Sequence, residues 1–129
     1  MCSSDLDRRN RVRIEKVTFA LDCGITVNPD LVRAQVEGGL IWALGAAAWG
    51  EAVLGDGGEI ITQNFDRYPV MRMQSVPEIN VLLIESGEPP TGVGEVSVPT
   101  AAPALTNAIA AATGTRVRQL PIAKTMRVL

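Results

Sequence analysis

The pattern of apolar and polar positions in the first quarter of the chain predicts a strand. Apolar residues alternate with polar ones over residues 12–23, with the two-residue period of an extended segment. The alternation changes parity between Ile14 and Val17. We therefore expect either a bulge near Glu15 and Lys16 or two short strands.

A long helix is predicted to follow, beginning at the segment Asn28-Pro29-Asp30. Asn28 can cap the helix, Pro29 suits its first position, and Asp30 complements the helix dipole. The turn sequence GDGG at residues 55–58 should stop it, so we expect its end at about residues 52–54.

Three glycines, Gly38, Gly39 and Gly45, lie inside this predicted helix. Each costs about 1 kcal/mol relative to alanine. We expect such glycines where a neighbouring element or a bound group packs closely against the helix backbone, with element packing as the simpler explanation.

The second half of the chain predicts two further strands and a second helix. Residues 59–62 are predicted to form a short strand and residues 64–73 an ordered loop or a ragged strand. The apolar run INVLLI at 79–84 predicts a strand covered on both faces. An apolar helix is predicted from about Thr100 to residue 113, followed by an extended segment over residues 117–122.

The limits of the second helix are set by Pro103 and Gly114. Pro103 is tolerated best in a first turn, which favours a cap at or near Thr100, and Gly114 suits the position after the last turn. The helix is apolar almost all round, so we expect it to be deeply buried. The order β, α, β, β, α, β without repeated βαβ units indicates an α+β fold.

Composition excludes several classes of function. The net charge is −2 and there is no histidine, so neither nucleic-acid binding nor a histidine metal site is indicated. The basic cluster of Arg8, Arg9, Arg11 and Arg13 is interpreted as a solvated strand start. The longest apolar run, residues 39–49, is too short for a membrane span.

The loop GEPPTGVGEVSVPT over residues 87–100 carries the candidate chemistry. Glu95 lies between Gly94 and the start of the second predicted helix. Glycines permit close backbone approach, and a helix N-terminus favours negative charge nearby, as a buried general base would need. From spacing alone, a solvated loop glutamate remains the favoured interpretation.

Several segments resemble one family when taken together. GVGE at residues 92–95, DCGITVNPDLVRAQVEGGLIWAL at 22–44, NFDRYPVMRMQSVPEINV at 64–81 and TGTRVRQLPI at 113–122 resemble the large subunits of the xanthine oxidase family of molybdenum hydroxylases. Within that family they are most similar to isoquinoline 1-oxidoreductase β subunits, among aldehyde and N-heterocycle oxidoreductases. The resemblance extends over residues 12–121.

The resemblance implies a set of site residues and cofactors. Glu95 would be the general base of a hydroxylation that takes its oxygen from water, and Gln35 and Gly94 would bind a molybdopterin, in its cytosine dinucleotide form. The pterin, and no protein side chain, would hold the molybdenum. The [2Fe-2S] clusters would lie on a partner subunit. Without the resemblance, Gln35 is better interpreted as a helix-surface residue.

The resemblance also bears on the extent of the chain. Residues 1–6, MCSSDL, match a translated sequencing-library adapter, so we expect them to be foreign and without regular structure; a genuine short tail is the alternative. Residues 7–129 would then be the C-terminal part of a larger cofactor-binding domain, inactive alone. N-heteroaromatics are the expected substrates, with aldehydes second; localisation stays open. The competing hypothesis is a non-catalytic α+β interaction module in which GVGE is a tight turn.

Overall fold

A computed structural model describes residues 11–129 and the backbone of one earlier strand, Cys2–Leu6. The predictions for Arg8 and Arg9 lie outside the described residues. The regular elements in chain order are strands β1 (Cys2–Leu6) and β2 (Val12–Asp22), helix α1 (Pro29–Ala48), strand β3 (Glu78–Ile84) and helix α2 (Val98–Thr113), with short 3-10 helices at Met73–Ser75 and Ile122–Lys124. The predicted α+β class is confirmed.

The three strands form one sheet in the order β1-β2-β3. β1 pairs antiparallel with β2, whereas β3 pairs parallel with β2 over Lys16–Asp22 and Glu78–Ile84. The carboxyl ends of β2 and β3 therefore meet at the same edge of the sheet. The loops that leave this edge carry the candidate site.

The predicted bulge in β2 is confirmed. Ser3 pairs with Lys16 and Ser4 with Ile14, so Glu15 is an extra residue on β2. The bulge keeps both phases of the apolar alternation on the buried face, because one inserted residue reverses the side on which the following side chains lie.

The expectation that residues 1–6 have no regular structure is wrong for Cys2–Leu6, which forms β1. Backbone groups at a sheet edge pair with a neighbouring strand whatever its side chains are, so pairing says nothing about origin. The foreign origin of these residues stays a prediction.

Helix α1 begins as predicted, with the Asn28 side chain accepting a 3.0 Å hydrogen bond from the Leu31 amide. It ends at Ala48, several residues before the predicted end. The backbone departs from helical geometry at the C-cap residue Trp49, which has φ −135° and ψ −21°. The chain leaves the helix there and reaches the predicted turn at 55–58. The short strand predicted at 59–62 is wrong, since only one bridge forms, between Leu54 and Ile60.

Helix α2 begins at Val98 and contains Pro103 in its interior. The predicted start near Thr100 is therefore wrong. The predicted stop is confirmed, because Gly114 adopts φ +73° and donates its N–H to the Ala110 carbonyl. The buried residues of α2 form a single stripe, Ala101, Leu105 and Ile109. Within the described chain the helix is therefore buried on one side and not all round.

β3 is covered on one face instead of two. Val81 is buried and its neighbours on the same face are half-buried, but Leu82 and Ile84 are 49% and 50% exposed. The core lies between the sheet and the helices and includes Val12, Leu40, Leu44, Leu105, Ile109 and Ile122. The predicted final extended segment forms no strand; instead Val128 pairs with Val12.

Candidate functional site

Two loops meet at the carboxyl edge of the parallel strands. The loop after β2 and the loop after β3 are joined by backbone hydrogen bonds of 2.9 Å from Thr91 N to Cys23 O and from Ile25 N to Glu88 O. This pairing fixes the beginning of the glycine-rich segment 92–95 relative to the sheet.

Asp22, at the end of β2, joins the same loops through its carboxylate. One oxygen accepts hydrogen bonds from Gly24 N at 3.0 Å and from Ser86 Oγ at 2.7 Å. These two donors, the backbone N–H first, hold the pKa of Asp22 below its ordinary value. Gly24 is required here: it has φ +72°, and a Cβ atom would lie less than 3.0 Å from the carbonyl of Pro89.

Gln35 and Gly94, which the resemblance assigned to cofactor binding, are in direct contact. The Gln35 side-chain Nε2 donates a hydrogen bond to the Gly94 carbonyl, across 59 residues of sequence. Both residues are exposed. The second turn of α1 therefore holds the segment that carries Glu95.

A second contact holds this segment on its other side, through Ser97. Ser97 is 1% exposed and its Oγ donates a 3.1 Å hydrogen bond to the Val36 carbonyl on α1. The serine packs against Gly39, whose missing Cβ would lie less than 3.0 Å from Ser97 Oγ. The sequence alone did not single out Ser97. The available signal was Gly39, because a helical glycine indicates a close neighbour.

The glycines of α1 thus separate into two kinds. Close packing is confirmed at Gly39, against Ser97, and at Gly45, where a Cβ would lie 3.3 Å from the Met71 amide nitrogen. At Gly38 a Cβ would meet nothing within 4 Å. Packing inside the described chain therefore does not explain Gly38.

Glu95 is held between these contacts but its side chain is exposed. Its carbonyl accepts a 3.0 Å hydrogen bond from Val98 N at the start of α2. Among residues 11–129, no hydrogen bond or ion pair to the Glu95 carboxylate is found. The side chain does not line the apolar cavity of about 310 Å³ that lies between α1 and residues 65–71.

The described part of the chain offers neither a side-chain metal site nor a membrane span. It contains no group of three or more His, Cys, Asp or Glu side chains arranged to hold a metal ion. Neither of its helices has the length and apolar character required to cross a bilayer.

Comparisons with known proteins identify the family. Residues 6–77 match the family described as molybdopterin cofactor-binding domain. The beta subunit of isoquinoline 1-oxidoreductase from Brevundimonas diminuta is 39% identical over 113 residues, which is 88% of this chain and 14% of that protein. A nicotinate dehydrogenase subunit of Pseudomonas putida is 38% identical over 120 residues, which is 91% of this chain and 10% of that protein.

A solved structure gives the same answer at the level of the fold. Quinoline 2-oxidoreductase of Pseudomonas putida 86 superposes with a TM-score of 0.79 at 25% identity, over 89% of this chain and 16% of that one. The chain spans only 14% of the length of the isoquinoline 1-oxidoreductase subunit. It belongs to the molybdopterin cofactor-binding domain family, within the molybdenum-binding subunits of the xanthine oxidase family.

Proposed function

We propose that this chain is part of the molybdenum-binding subunit of a hydroxylase, in which Glu95 is the general base. Its substrates would be N-heteroaromatic compounds, with aldehydes as the second class. The names of the relatives, which specify isoquinoline, nicotinate and quinoline, support the first class. The observation that carries the proposal is the hydrogen bond from Gln35 to Gly94, because it joins two separate motifs beside Glu95.

The residues present fit a molybdopterin group. Gln35 uses one amide N–H on Gly94, and no partner for its Oε1 is found among residues 11–129. At Gly92 and Gly94 a Cβ would meet nothing within 4 Å, so the backbone there is open to another molecule. An amide with free donor and acceptor capacity suits the mixed polar edge of a pterin. Gln35 and Gly94 would therefore hold the cofactor, in the proposed cytosine dinucleotide form.

The bound cofactor would supply the redox centre that takes electrons from the substrate, while water supplies oxygen. The part of this chain would be proton transfer, in which a Glu95 carboxylate oxygen accepts a proton that water gives up as its oxygen passes to the substrate. For this role the carboxylate must be ionised before the reaction. The N-terminus of α2 begins three residues later, at Val98, and its dipole favours negative charge nearby.

The rest of the assembly is inferred from the relatives. Their names include subunit designations, which supports a multi-subunit enzyme with a partner of its own. We assign [2Fe-2S] clusters to a small iron–sulfur subunit that accepts the electrons. The isolated chain would be inactive, because the substrate pocket requires residues outside it.

The competing function is a non-catalytic interaction module in which residues 92–95 form a tight turn. The exposed Glu95 side chain favours this alternative, since an exposed carboxylate needs no chemical role. The two functions differ in what replacement of the carboxylate does.

The deciding experiment compares wild type and Glu95→Gln in the complete enzyme that contains this chain. Glutamine keeps the size and polarity of the side chain but cannot act as the base. Molybdenum content should be unchanged, while the rate of reduction by substrate should fall by about 10²–10⁴-fold. A variant with full metal content and a near-wild-type rate would remove Glu95 from the mechanism, and loss of metal would indicate a structural role.

A further inference from the structure

Ser97 is the one buried polar side chain among residues 11–129, and it lies two positions after an exposed carboxylate. Its hydroxyl donates to the carbonyl of Val36, which is itself fully buried on α1. Although Ser97 is the N-cap residue of α2, its side chain makes no capping hydrogen bond to that helix. The hydroxyl therefore joins the loop to α1 instead of stabilising the start of α2.

Gly39 and Ser97 are matched in shape. A Cβ at position 39 would lie less than 3.0 Å from Ser97 Oγ, but 3.5 Å from Val98 Cγ2 and 3.7 Å from Ser97 Cβ. The last two distances are ordinary contacts. The hydroxyl oxygen alone thus requires glycine at position 39, and any side chain there would displace it.

The contact at Ser97 and the contact at Gly94 enclose Glu95. Gln35 holds Gly94, and the adjacent Val36 holds Ser97, so only two residues, Glu95 and Val96, lie between the contacts. A general base must be held within hydrogen-bond reach of its proton, and small displacements reduce rates strongly. A glycine-rich segment does not provide this order by itself.

We propose that Ser97 is a positioning residue for Glu95, and that Gly39 is glycine because the Ser97 hydroxyl must lie against α1. The proposal rests on the proposed function, in which Glu95 is the general base. Ser97 acts through the backbone and touches no reacting atom.

The test uses Ser97→Ala, Gly39→Ala and the double variant in the complete enzyme. Ser97→Ala should lower the limiting rate of reduction about fivefold, with little change in KM, because the base is misplaced while substrate contacts remain. Gly39→Ala should lower it about 10–100-fold, because the methyl group drives the hydroxyl away from Val36. In the double variant the oxygen is absent, so the rate should return to within about threefold of Ser97→Ala.

Two variants provide matched controls. Gly45→Ala places a methyl group on the same helix against Met71, away from Glu95, so it tests crowding of α1 alone. Thr106→Ala removes an exposed hydroxyl that donates to the Pro103 carbonyl within α2, so it tests the loss of one such bond. Neither should alter the limiting rate.

A second readout does not depend on activity. The Val98 amide, which donates to the Glu95 carbonyl, should exchange its hydrogen faster in Ser97→Ala and in Gly39→Ala than in wild type or Gly45→Ala. Molybdenum content should be equal in all variants.

Each result decides the proposal. Recovery of rate in the double variant supports it. If the losses of reduction rate in Ser97→Ala and Gly39→Ala add in the double variant, the positioning role is overturned. It is also overturned if both single variants keep the wild-type rate while Glu95→Gln is inactive. In either case the proposed function still stands. Full activity of Glu95→Gln would overturn both.

Discussion

The side-chain amide of Gln35 donates a hydrogen bond to the carbonyl of Gly94, the residue before Glu95. This bond joins a helix that begins at Pro29 to a loop that follows β3. Two motifs that are far apart in the sequence therefore form one surface. Changes in either motif, or in the elements that hold them, should alter that surface.

Replacing Gln35 with alanine tests the first of these motifs. Gln35→Ala should weaken cofactor retention or slow turnover by the equivalent of about 1–3 kcal/mol, because a polar partner is left unpaired. Molybdenum per mole of complete enzyme and the rate of reduction are the measurements. Glu37→Ala, which removes an exposed side chain two residues away, is the control. Unchanged metal content together with unchanged kinetics would return Gln35 to the role of a helix-surface residue.

Asp22 predicts an effect of acid on the stability of the paired loops. Its folded-state pKa is lowered by the Gly24 and Ser86 hydrogen bonds, so its stabilisation is fully present above the ordinary value of 3.8. The stabilisation is lost as the pH falls below that value and through the lower folded-state pKa. Exchange of the Gly24 amide, corrected for the intrinsic effect of pH, should therefore accelerate in acid.

Asp22→Asn should remove most of this acid dependence, because asparagine keeps the acceptor oxygen without a titrating charge. Ser86→Ala is the companion variant, since it deletes one of the two donors. In Ser86→Ala, the acceleration of Gly24 amide exchange in acid should be smaller than in wild type. An acid-dependent change of equal size in Asp22→Asn would show that another group is responsible.

The chain expressed alone should associate with itself. Large apolar side chains are exposed on it, among them Trp42 at 67% and Phe65 at 71%, besides Leu82 and Ile84 on β3. Patches of this kind favour association. Sedimentation at several concentrations measures this self-association. The double variant Leu82→Lys, Ile84→Lys should associate less than wild type. A monomer with a sharp, cooperative thermal transition would contradict the prediction.

Local signals in the sequence determined the elements whose causes are local. The start of α1 depends on Asn28 capping its own helix, and the end of α2 on the positive φ of Gly114. The bulge in β2 was readable from the change of parity, because every second side chain must face the core. These features involve residues within a few positions of each other, so the interactions that cause them can be recognised in the sequence.

The candidate site was only partly accessible in the same way. Glu95, Gln35 and Gly94 were found through resemblance, whereas spacing alone favoured a solvated loop for Glu95. Nothing in their spacing indicates that Gln35 would reach Gly94, since the contact depends on how α1 packs beside the loop after β3.

The tertiary structure alone decided the features that depend on distant partners. The early start of α2 accompanies the anchoring of Ser97 to Val36, and Ser97 and Met71 pack against Gly39 and Gly45 of α1. Serine at such a position ordinarily predicts a helix cap, but here a buried carbonyl on another helix takes its hydroxyl. A side chain with one hydroxyl proton donates to whichever acceptor packing brings near, and only the folded chain determines which acceptor that is.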